Sequence, residues 1–506
     1  MLVVALPALL AAVLCLLGIT SRSLGFDEGA TVAIASQHGA ALGTAIGRDG
    51  GNMSGYYLLM HVLIGAFGNG LLVLRLPSAL AAVATVALVA AIGLRLFDRR
   101  VGAVAGVLTA VSLPLVFWAQ TARGYAPMVA FVCGGFLAYI ALADETGRGG
   151  TRWRPWLAYV VLMTLASYSS FVAVLVVPAQ LLALVRRPAA ARRLVSALVA
   201  IAVCCIPLAV LAVRRGSGQL FWVPRASHKV EIQVLESLTS AGLQPSIHRT
   251  ASTYVLLAIT LLMVLGIAVA AVRGVRRGQV HWATGMTLAW FVVPVALTFG
   301  YSLLAQPLLQ PRNLLMCVPA LALLLGLLLG DARVPPLMAA GAVVIIVGLR
   351  AWQVGAAYGV SPEPWRAATA DVVARAQPGD CIAFYPEDAR NPFRYYLGTG
   401  TAASRRAPRS ILPAIGWGAV KPYVEDYTTL SSTMLARRSA GCRRLWLVSS
   451  HEGDPNGPAE SRRHLARYHQ LAAQLERGLG RGRLEKFGYA SVIHVQLLPG
   501  PSRLGG

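Results

Sequence analysis

The stretch LRLPSALAAVATVALVAAIGLR (residues 74–95) decides the fold, because it is long and apolar, with charge only on its two arginines. A membrane-spanning helix needs about 20 mostly apolar residues, and this stretch meets that length. Similar runs recur over the first 350 residues of the chain. We therefore predict an α-helical polytopic membrane protein with about eleven spans, at residues 2–20, 74–95, 101–118, 125–143, 156–170, 172–185, 194–213, 253–272, 281–303, 313–330 and 335–351.

The composition of the whole chain supports the same class of protein. Of its 506 residues, 56% are hydrophobic and 13% are charged, whereas soluble domains carry about 25% charged residues. The net charge of +24 comes almost entirely from arginine; it reflects either coding bias or an affinity for anionic lipid. Because these arginines are scattered around apolar runs and form no stripe, we expect no nucleic-acid partner.

Clusters of arginine in short loops set the expected orientation, since such clusters favour the cytoplasmic side. Four clusters fall on one side of the predicted spans, at residues 95–100, 148–154, 186–193 and 273–277. The opposite, extracytoplasmic side then carries residues 21–73, 119–124, 214–252 and the C-terminal tail. The first apolar run is interpreted as a span; a cleaved signal peptide is the alternative, although the run lacks a basic start.

The tail is a different kind of sequence, because more than half of the chain's 21 acidic residues follow residue 360. We predict a transmembrane module over residues 1–352 and a soluble α/β domain over 361–500, which is long enough for its own core. Its patterns predict helices in 363–380 and 459–480, and strands in 381–386, 444–450 and twice within 483–498.

Two cysteines, Cys381 and Cys442, lie in this tail. Buried free thiols are the first expectation for them, because free cysteine packs as a small apolar residue. A disulfide is the alternative if the tail lies outside the cytoplasm.

Two adjacent acids, Asp27 and Glu28, follow the first apolar run in the stretch SLGFDEGATVA (residues 23–33). A carboxylate beside hydrocarbon is costly unless it is paired or has a function. An acid at the start of a helix can cap backbone N–H groups, but capping readily explains one acid and not two. We therefore regard the pair as a candidate catalytic site, with Asp49 nearby as a further acid of the same loop.

Two arginines lie where predicted spans leave the membrane, and each can bind an anionic headgroup or anchor its span by snorkelling. Arg123 lies in VFWAQTARGYAPM (residues 116–128) with Gln120 and Tyr125, and Arg312 lies in LQPRNLLMCVPALALLLG (residues 309–326). A short helix in NMSGYYLLMH (residues 52–61) adds Tyr56, Tyr57 and His61. For these three the alternatives are an interfacial aromatic belt and a structural histidine.

The order of these motifs resembles the polyprenyl-phosphate-sugar-dependent glycosyltransferases of the GT-C superfamily. That group includes the protein O-mannosyltransferases, the aminoarabinose transferases of lipid A and the bacterial family-39 enzymes. The resemblance rests on the acid pair, the Tyr-Tyr helix, RLPSAL, RLFDRRVGAVAGVL, WAQTARGY and PRNLLMCVPALALLLG. It is strongest over residues 20–145 and returns near 309–330, and PWRAATADVVARAQPGD is similar to the start of the family's extracytoplasmic domain.

The resemblance implies that Asp27 is the catalytic base, Glu28 its companion and Arg123 the arginine of the family's Q-x-A-R-x-Y pattern. Many members have His-Pro-Pro where this chain has Asn52-Met53-Ser54, which marks a subgroup. Many also have Glu where this chain has Thr121, and the loss of that acid leaves the acceptor open.

The expected reaction needs one base, because phosphate is a weakly basic leaving group and requires no general acid. In this hypothesis Asp27 is the base, Glu28 and Asp49 orient the acceptor, and Arg123 and Arg312 bind phosphate. The remaining candidates, expected to line the substrate groove, are Tyr56, Tyr57, His61, Gln120 and Tyr125.

Together with the arginine clusters, the resemblance implies an inverting glycosyltransferase in a bacterial plasma membrane, with its site and its tail outside. The donor that it implies is a sugar, mannose first, on a polyprenyl phosphate, and the expected acceptor is an envelope glycan, a glycolipid or a protein. We expect no cofactor, with a divalent metal left open, since no His and Cys spacing is typical of a metal site. The alternatives are a carrier or flippase for lipid-linked intermediates and a catalytically silent scaffold of the same fold.

Overall fold

The structure, a computed structural model, describes residues 1–150, 152–216, 223–224, 226–239, 251–276, 281–331, 334–398, 400–420, 422, 431–488 and 492–500. Parts of the predicted outer loop 214–252, and the last arginine of the 273–277 cluster, lie outside the described residues.

The described residues up to Tyr358 form helices and the turns that connect them. In chain order its α-helices are α1 (Leu2–Leu16), α2 (Phe26–Ala35), α3 (Gly39–Arg48), α4 (Ser54–Phe67), α5 (Leu71–Leu96), α6 (Arg99–Ala110), α7 (Leu113–Ala119), α8 (Tyr125–Gly147), α9 (Trp153–Ser169), α10 (Val177–Ala183), α11 (Ala191–Cys204), α12 (Ile206–Arg215), α13 (His228–Leu238), α14 (Ala251–Arg276), α15 (Trp282–Leu304), α16 (Val318–Leu329) and α17 (Pro336–Tyr358). Short 3₁₀ helices cover Phe171–Val176, Leu184–Arg186, Pro188–Ala190 and Pro311–Cys317.

Within the described residues, 6 segments are long and apolar enough to cross a membrane: Leu71–Leu96, Tyr125–Gly147, Thr253–Gly274, Trp282–Leu304, Pro311–Gly330 and Pro336–Tyr358. Two bent helix pairs, α6 with α7 and α11 with α12, raise this number to 8 if each pair is one span. Each bend is followed by a proline in the first turn of the second helix, Pro114 or Pro207. Proline cannot donate the backbone hydrogen bond that would continue the first helix.

The prediction of two short helices within residues 156–185 agrees with the structure, in which α9 ends at Ser169 and a 3₁₀ helix begins at Phe171. The segment between α1 and α5 contains the three short helices α2, α3 and α4. The first of these begins at Phe26, so both Asp27 and Glu28 lie in its first turn. Of the two acids, it is Glu28 that caps this helix, because its carboxylate accepts the backbone N–H of Gly25 at 3.0 Å.

The C-terminal part forms a five-stranded sheet in the order β2-β1-β3-β5-β4. Its strands are β1 (Cys381–Tyr385), β2 (Arg409–Leu412), β3 (Leu445–Ser450), β4 (Arg483–Phe487) and β5 (Ile493–Leu498), and its α-helices are α18 (Trp365–Arg375), α19 (Arg390–Leu397), Ala402–Arg406, Ser432–Ser439 and Ala459–Leu479, with a 3₁₀ turn at Glu387–Ala389. Strand β1 pairs in parallel with β2 and β3, whereas β5 pairs antiparallel with β3 and β4. The two predicted helices and four predicted strands are present, and β2 is the strand that the sequence did not reveal.

The two cysteines of this domain are joined, so the expectation of free thiols is wrong. Cys381 begins β1 and Cys442 lies just before β3, and their Cα atoms are 5.5 Å apart in a disulfide. Parallel pairing of β1 with β3 places Cys381 opposite Leu445 and so brings the two thiols together.

Candidate active site

The carboxylate of Asp27 lies against the guanidinium of Arg312, although 285 residues separate them in the chain. The first turn of α2 carries Asp27, and the 3₁₀ helix before α16 carries Arg312. Arg312 Nη1 donates to Asp27 Oδ2 at 2.8 Å, and the same guanidinium lies 5.7 Å from the ring centre of Tyr125. The Asp27 side chain is 41% exposed, so a substrate hydroxyl can reach it.

The environment of Asp27 acts on its pKa in two directions. Burial raises the pKa, but the positive charges of Arg123, Arg312 and His451 and the hydrogen bond from Arg312 outweigh this effect and lower it to about 2. Asp27 is therefore ionised at neutral pH and is able to accept a proton.

Arg123 forms the second basic element of the site and joins α2 to α4. Its Nη1 donates to the hydroxyl of Tyr57 at 3.1 Å and lies 3.5 Å from both the Asp27 carbonyl and Thr31 Oγ1. The Tyr57 hydroxyl in turn donates to Asp49 Oδ2 at 2.9 Å. The guanidinium is thus held beside Asp27 by a chain of hydrogen bonds.

The local backbone explains why a glycine follows Arg123. The turn between α7 and α8 packs so closely on the end of α9 that a Cβ atom on Gly124 would lie 2.3 Å from the carbonyl oxygen of Ser169. Any side chain at position 124 would push this turn away from the end of α9 and would displace Arg123 with it.

Glu28 points away from Asp27 and forms a buried ion pair with Arg75 of α5. Arg75 Nε and Nη2 donate to Glu28 Oε1 and Oε2 at 2.8 Å each, and the two side chains are 1% and 4% exposed. Glu28 also accepts the N–H groups of Gly25 at 3.0 Å and Ala122 at 2.8 Å. Burial raises the pKa of Glu28, but the charge of Arg75 and these hydrogen bonds lower it overall.

Arg75 uses its remaining donors on the segment before α2. Its Nη1 donates to the carbonyls of Ile19 and Arg22, and its Nη2 donates to the carbonyl of Ser23. The ion pair therefore joins the end of the first apolar run, α2, α5 and the turn that carries Arg123.

Three predicted site residues lie apart from this cluster. Gln120 is buried and donates to backbone carbonyls at the end of α1, including that of Leu17 at 2.7 Å. The Tyr56 hydroxyl bonds to the Leu74 carbonyl and to Ser78 within the helix packing. His61 Nδ1 lies 2.9 Å from the carbonyl oxygen of Ala35, the last residue of α2, whereas Asp27 lies in the first turn of that helix.

Several residues that contact the site have no role predicted from the sequence. Arg75 carried a usable signal, because a charge inside an apolar span is costly and therefore has a partner or a function. Thr31 carried no such signal, and neither did Glu363 and His451 of the C-terminal domain, which contact the first turn of α2.

Residues 54–214 match the family described as dolichyl-phosphate-mannose-protein mannosyltransferase. The matched region includes α4 through α12 and so contains Tyr57, Arg75 and Arg123. No curated protein matches the chain significantly.

Solved structures resemble the whole chain at low sequence identity. ArnT from Cupriavidus metallidurans bound to undecaprenyl phosphate has a TM-score of 0.57 at 14% identity, over 99% of this chain and 99% of that one. The archaeal oligosaccharyltransferase AglB from Archaeoglobus fulgidus, in complex with an inhibitory peptide and a dolichol-phosphate, has a TM-score of 0.55 at 11% identity, over 97% of this chain and 73% of that one. These likenesses confirm the expected fold, a multi-pass helical membrane module followed by a smaller C-terminal domain.

Proposed function

We propose that this chain is a membrane glycosyltransferase of the GT-C superfamily that transfers a sugar from a polyprenyl-phosphate donor to an acceptor hydroxyl, with Asp27 as the base. The observation that carries the proposal is the convergence of Asp27, Arg123 and Arg312 from three distant parts of the chain. A carboxylate able to take a proton thus lies beside two guanidinium groups suited to phosphate.

The chemistry is a direct displacement at the anomeric carbon. Asp27 accepts the proton of the acceptor group as that group attacks, and the bond from the anomeric carbon to the phosphate oxygen breaks with inversion. The released electron pair stays on the phosphate, where the positive charges of Arg312 and Arg123 stabilise it.

Two further roles follow from the hydrogen bonds. Asp49 acts on Arg123 through Tyr57 and keeps the guanidinium beside α2. Glu28 holds α2 through Arg75 and positions Asp27 without touching the substrate.

Mannose is the sugar we propose first, and the family match over residues 54–214 supports it. The proposed acceptors remain an envelope glycan, a glycolipid or a protein, because Thr121 replaces an acid of the family pattern. We propose that the site faces outward from a bacterial plasma membrane. The Cys381–Cys442 disulfide supports an extracytoplasmic tail, since such bonds are rare in the cytoplasm.

A transfer assay in sealed vesicles of both orientations tests this proposal. Purified chain is reconstituted, and labelled polyprenyl-phosphate mannose is supplied together with candidate acceptors; other polyprenyl-phosphate sugars follow. We expect transfer with anomeric inversion when the donor is on the extracytoplasmic side. Movement of the donor across the bilayer without transfer would instead identify a carrier.

Loss of Arg312 should change the pH dependence of the reaction as well as its rate. In Arg312→Gln the carboxyl of Asp27 loses its closest positive charge, so its pKa rises from about 2 toward the ordinary carboxylate range. Because Asp27 must be ionised to act as base, the acid limb of kcat/KM should move to higher pH. A pH–rate series on the variant and the wild type measures this shift, and an unmoved limb would contradict the pairing of the two residues.

A further inference from the structure

The first turn of α2, which carries Asp27, is held by the C-terminal domain. The backbone N–H groups in the first turn of a helix have no partner within the helix. In α2 the N–H of Gly25 is accepted by Glu28, and the N–H of Phe26 is accepted by Glu363, which lies just before α18. The side chain of Glu363 also accepts the indole N–H of Trp365 at 3.3 Å, which fixes its orientation.

His451, which follows β3, contacts both Glu363 and Phe26. Its Nε2 is 3.5 Å from Glu363 Oε1, and its ring packs on that of Phe26 with 4.8 Å between centres. Its backbone has a φ of 56°, a left-handed conformation that is uncommon for residues other than glycine. Such conformations persist where surrounding contacts hold them and are often found at functional sites.

The residues just before α2 are bound to the same domain. The N–H of Leu24 donates to the hydroxyl of Tyr396 at 2.5 Å, and the N–H of Ser23 donates to Ser361 Oγ at 2.8 Å. The backbone N–H of Arg366 donates to Ser23 Oγ at 3.1 Å.

One turn into the helix, α2 packs directly on α19. A Cβ atom on Gly29 would lie 2.8 Å from the ring of Pro392. Residues 23–29 are therefore held from two sides. The C-terminal domain contacts Ser23, Leu24, Phe26 and Gly29, whereas Arg75 and Arg312 of the membrane module bind Glu28 and Asp27.

We propose that Glu363 and His451 are positioning residues for Asp27, so that the C-terminal domain places the base opposite the two arginines. The inference rests on the proposed function in taking Asp27 as the base. The physical reason is that a displacement of about 1 Å in a reacting group can lower a rate by about 10²-fold. The domain thus contributes to catalysis by holding the first turn of α2, which carries Asp27.

A set of four variants tests this role by transfer kinetics. Glu363→Ala removes the acceptor for the Phe26 N–H, and we expect kcat to fall by about 10- to 100-fold, with the KM for the lipid donor nearly unchanged. Glu363→Gln keeps a side-chain oxygen for that N–H and should restore most of kcat. His451→Asn, which tolerates the left-handed backbone, should give an intermediate loss. His469→Gln, an exposed histidine of the same domain, is the matched control and should behave as wild type.

Hydrogen exchange of the peptide covering residues 23–35 gives a readout that is independent of activity. We expect faster exchange in Glu363→Ala and His451→Asn, recovery in Glu363→Gln, and no change in His469→Gln or in peptides of α8. If wild-type protein transfers no sugar, the proposed function fails, whereas the exchange data still decide whether the C-terminal domain holds α2. Wild-type exchange and wild-type kcat in Glu363→Ala would overturn the positioning role.

Discussion

Replacement of Asp27 by Asn should lower kcat by about 10³-fold, within the range typical of a lost general base. Asparagine has nearly the same shape, and its amide oxygen can still accept the hydrogen bond that Arg312 Nη1 donates at 2.8 Å. The geometry of α2 should therefore survive while the group that takes the acceptor proton is lost. The measurement is initial rate at saturating donor and acceptor, together with the melting temperature in detergent.

The control for this variant is Asp144→Asn at the opposite end of α8 from Tyr125. Asp144 forms partly exposed ion pairs with Arg95 and Arg187, and such pairs contribute little to stability. We expect it to keep wild-type kcat. Transfer by Asp27→Asn at the wild-type rate would exclude Asp27 as the base and leave Arg123 and Arg312 as a binding site without one.

The second large effect is expected on folding, from Glu28→Gln. This variant leaves the charge of Arg75 buried at 1% exposure without its counter-charge. Removal of one partner of a buried ion pair destabilises a protein by about 3–5 kcal/mol. We therefore expect a large fall in the free energy of unfolding, measured by denaturant or heat in detergent micelles, and a poor yield of folded protein.

A double variant separates this structural role from a catalytic one. Adding Arg75→Gln to Glu28→Gln removes the uncompensated charge, so part of the lost stability should return, as a coupling of about 0.5–3 kcal/mol between the two positions. The partly exposed pair of Glu145 with Arg152, with 3.9 Å between its charged atoms, is the comparison, since Glu145→Gln should cost about 1 kcal/mol or less. A Glu28→Gln protein that is as stable as wild type but inactive would return Glu28 to a direct role in the reaction.

The sequence alone was sufficient where the cause is local. Apolar runs of membrane-spanning length identified the class of protein, because hydrocarbon demands them whatever the rest of the chain does. In the tail, the alternating and helical patterns predicted α18 and four strands close to their observed bounds. Acidic residues are scarce in the membrane module, and this also indicated Asp27 as a functional candidate. A carboxylate beside hydrocarbon is costly unless it is paired or has a function.

Tertiary structure decided which of the two acids is exposed and which is buried in an ion pair. Asp27 and Glu28 are neighbours with the same charge, yet the 100° turn between successive helix residues sends one toward Arg312 and the other toward Arg75. These partners lie 285 and 47 residues away, at distances that local patterns do not encode. The same holds for the Cys381–Cys442 bond and for the contact of Glu363 with α2, which exist because separate elements pack together. Sequence thus determined the elements and the candidate residues, whereas packing determined which residue each of them meets.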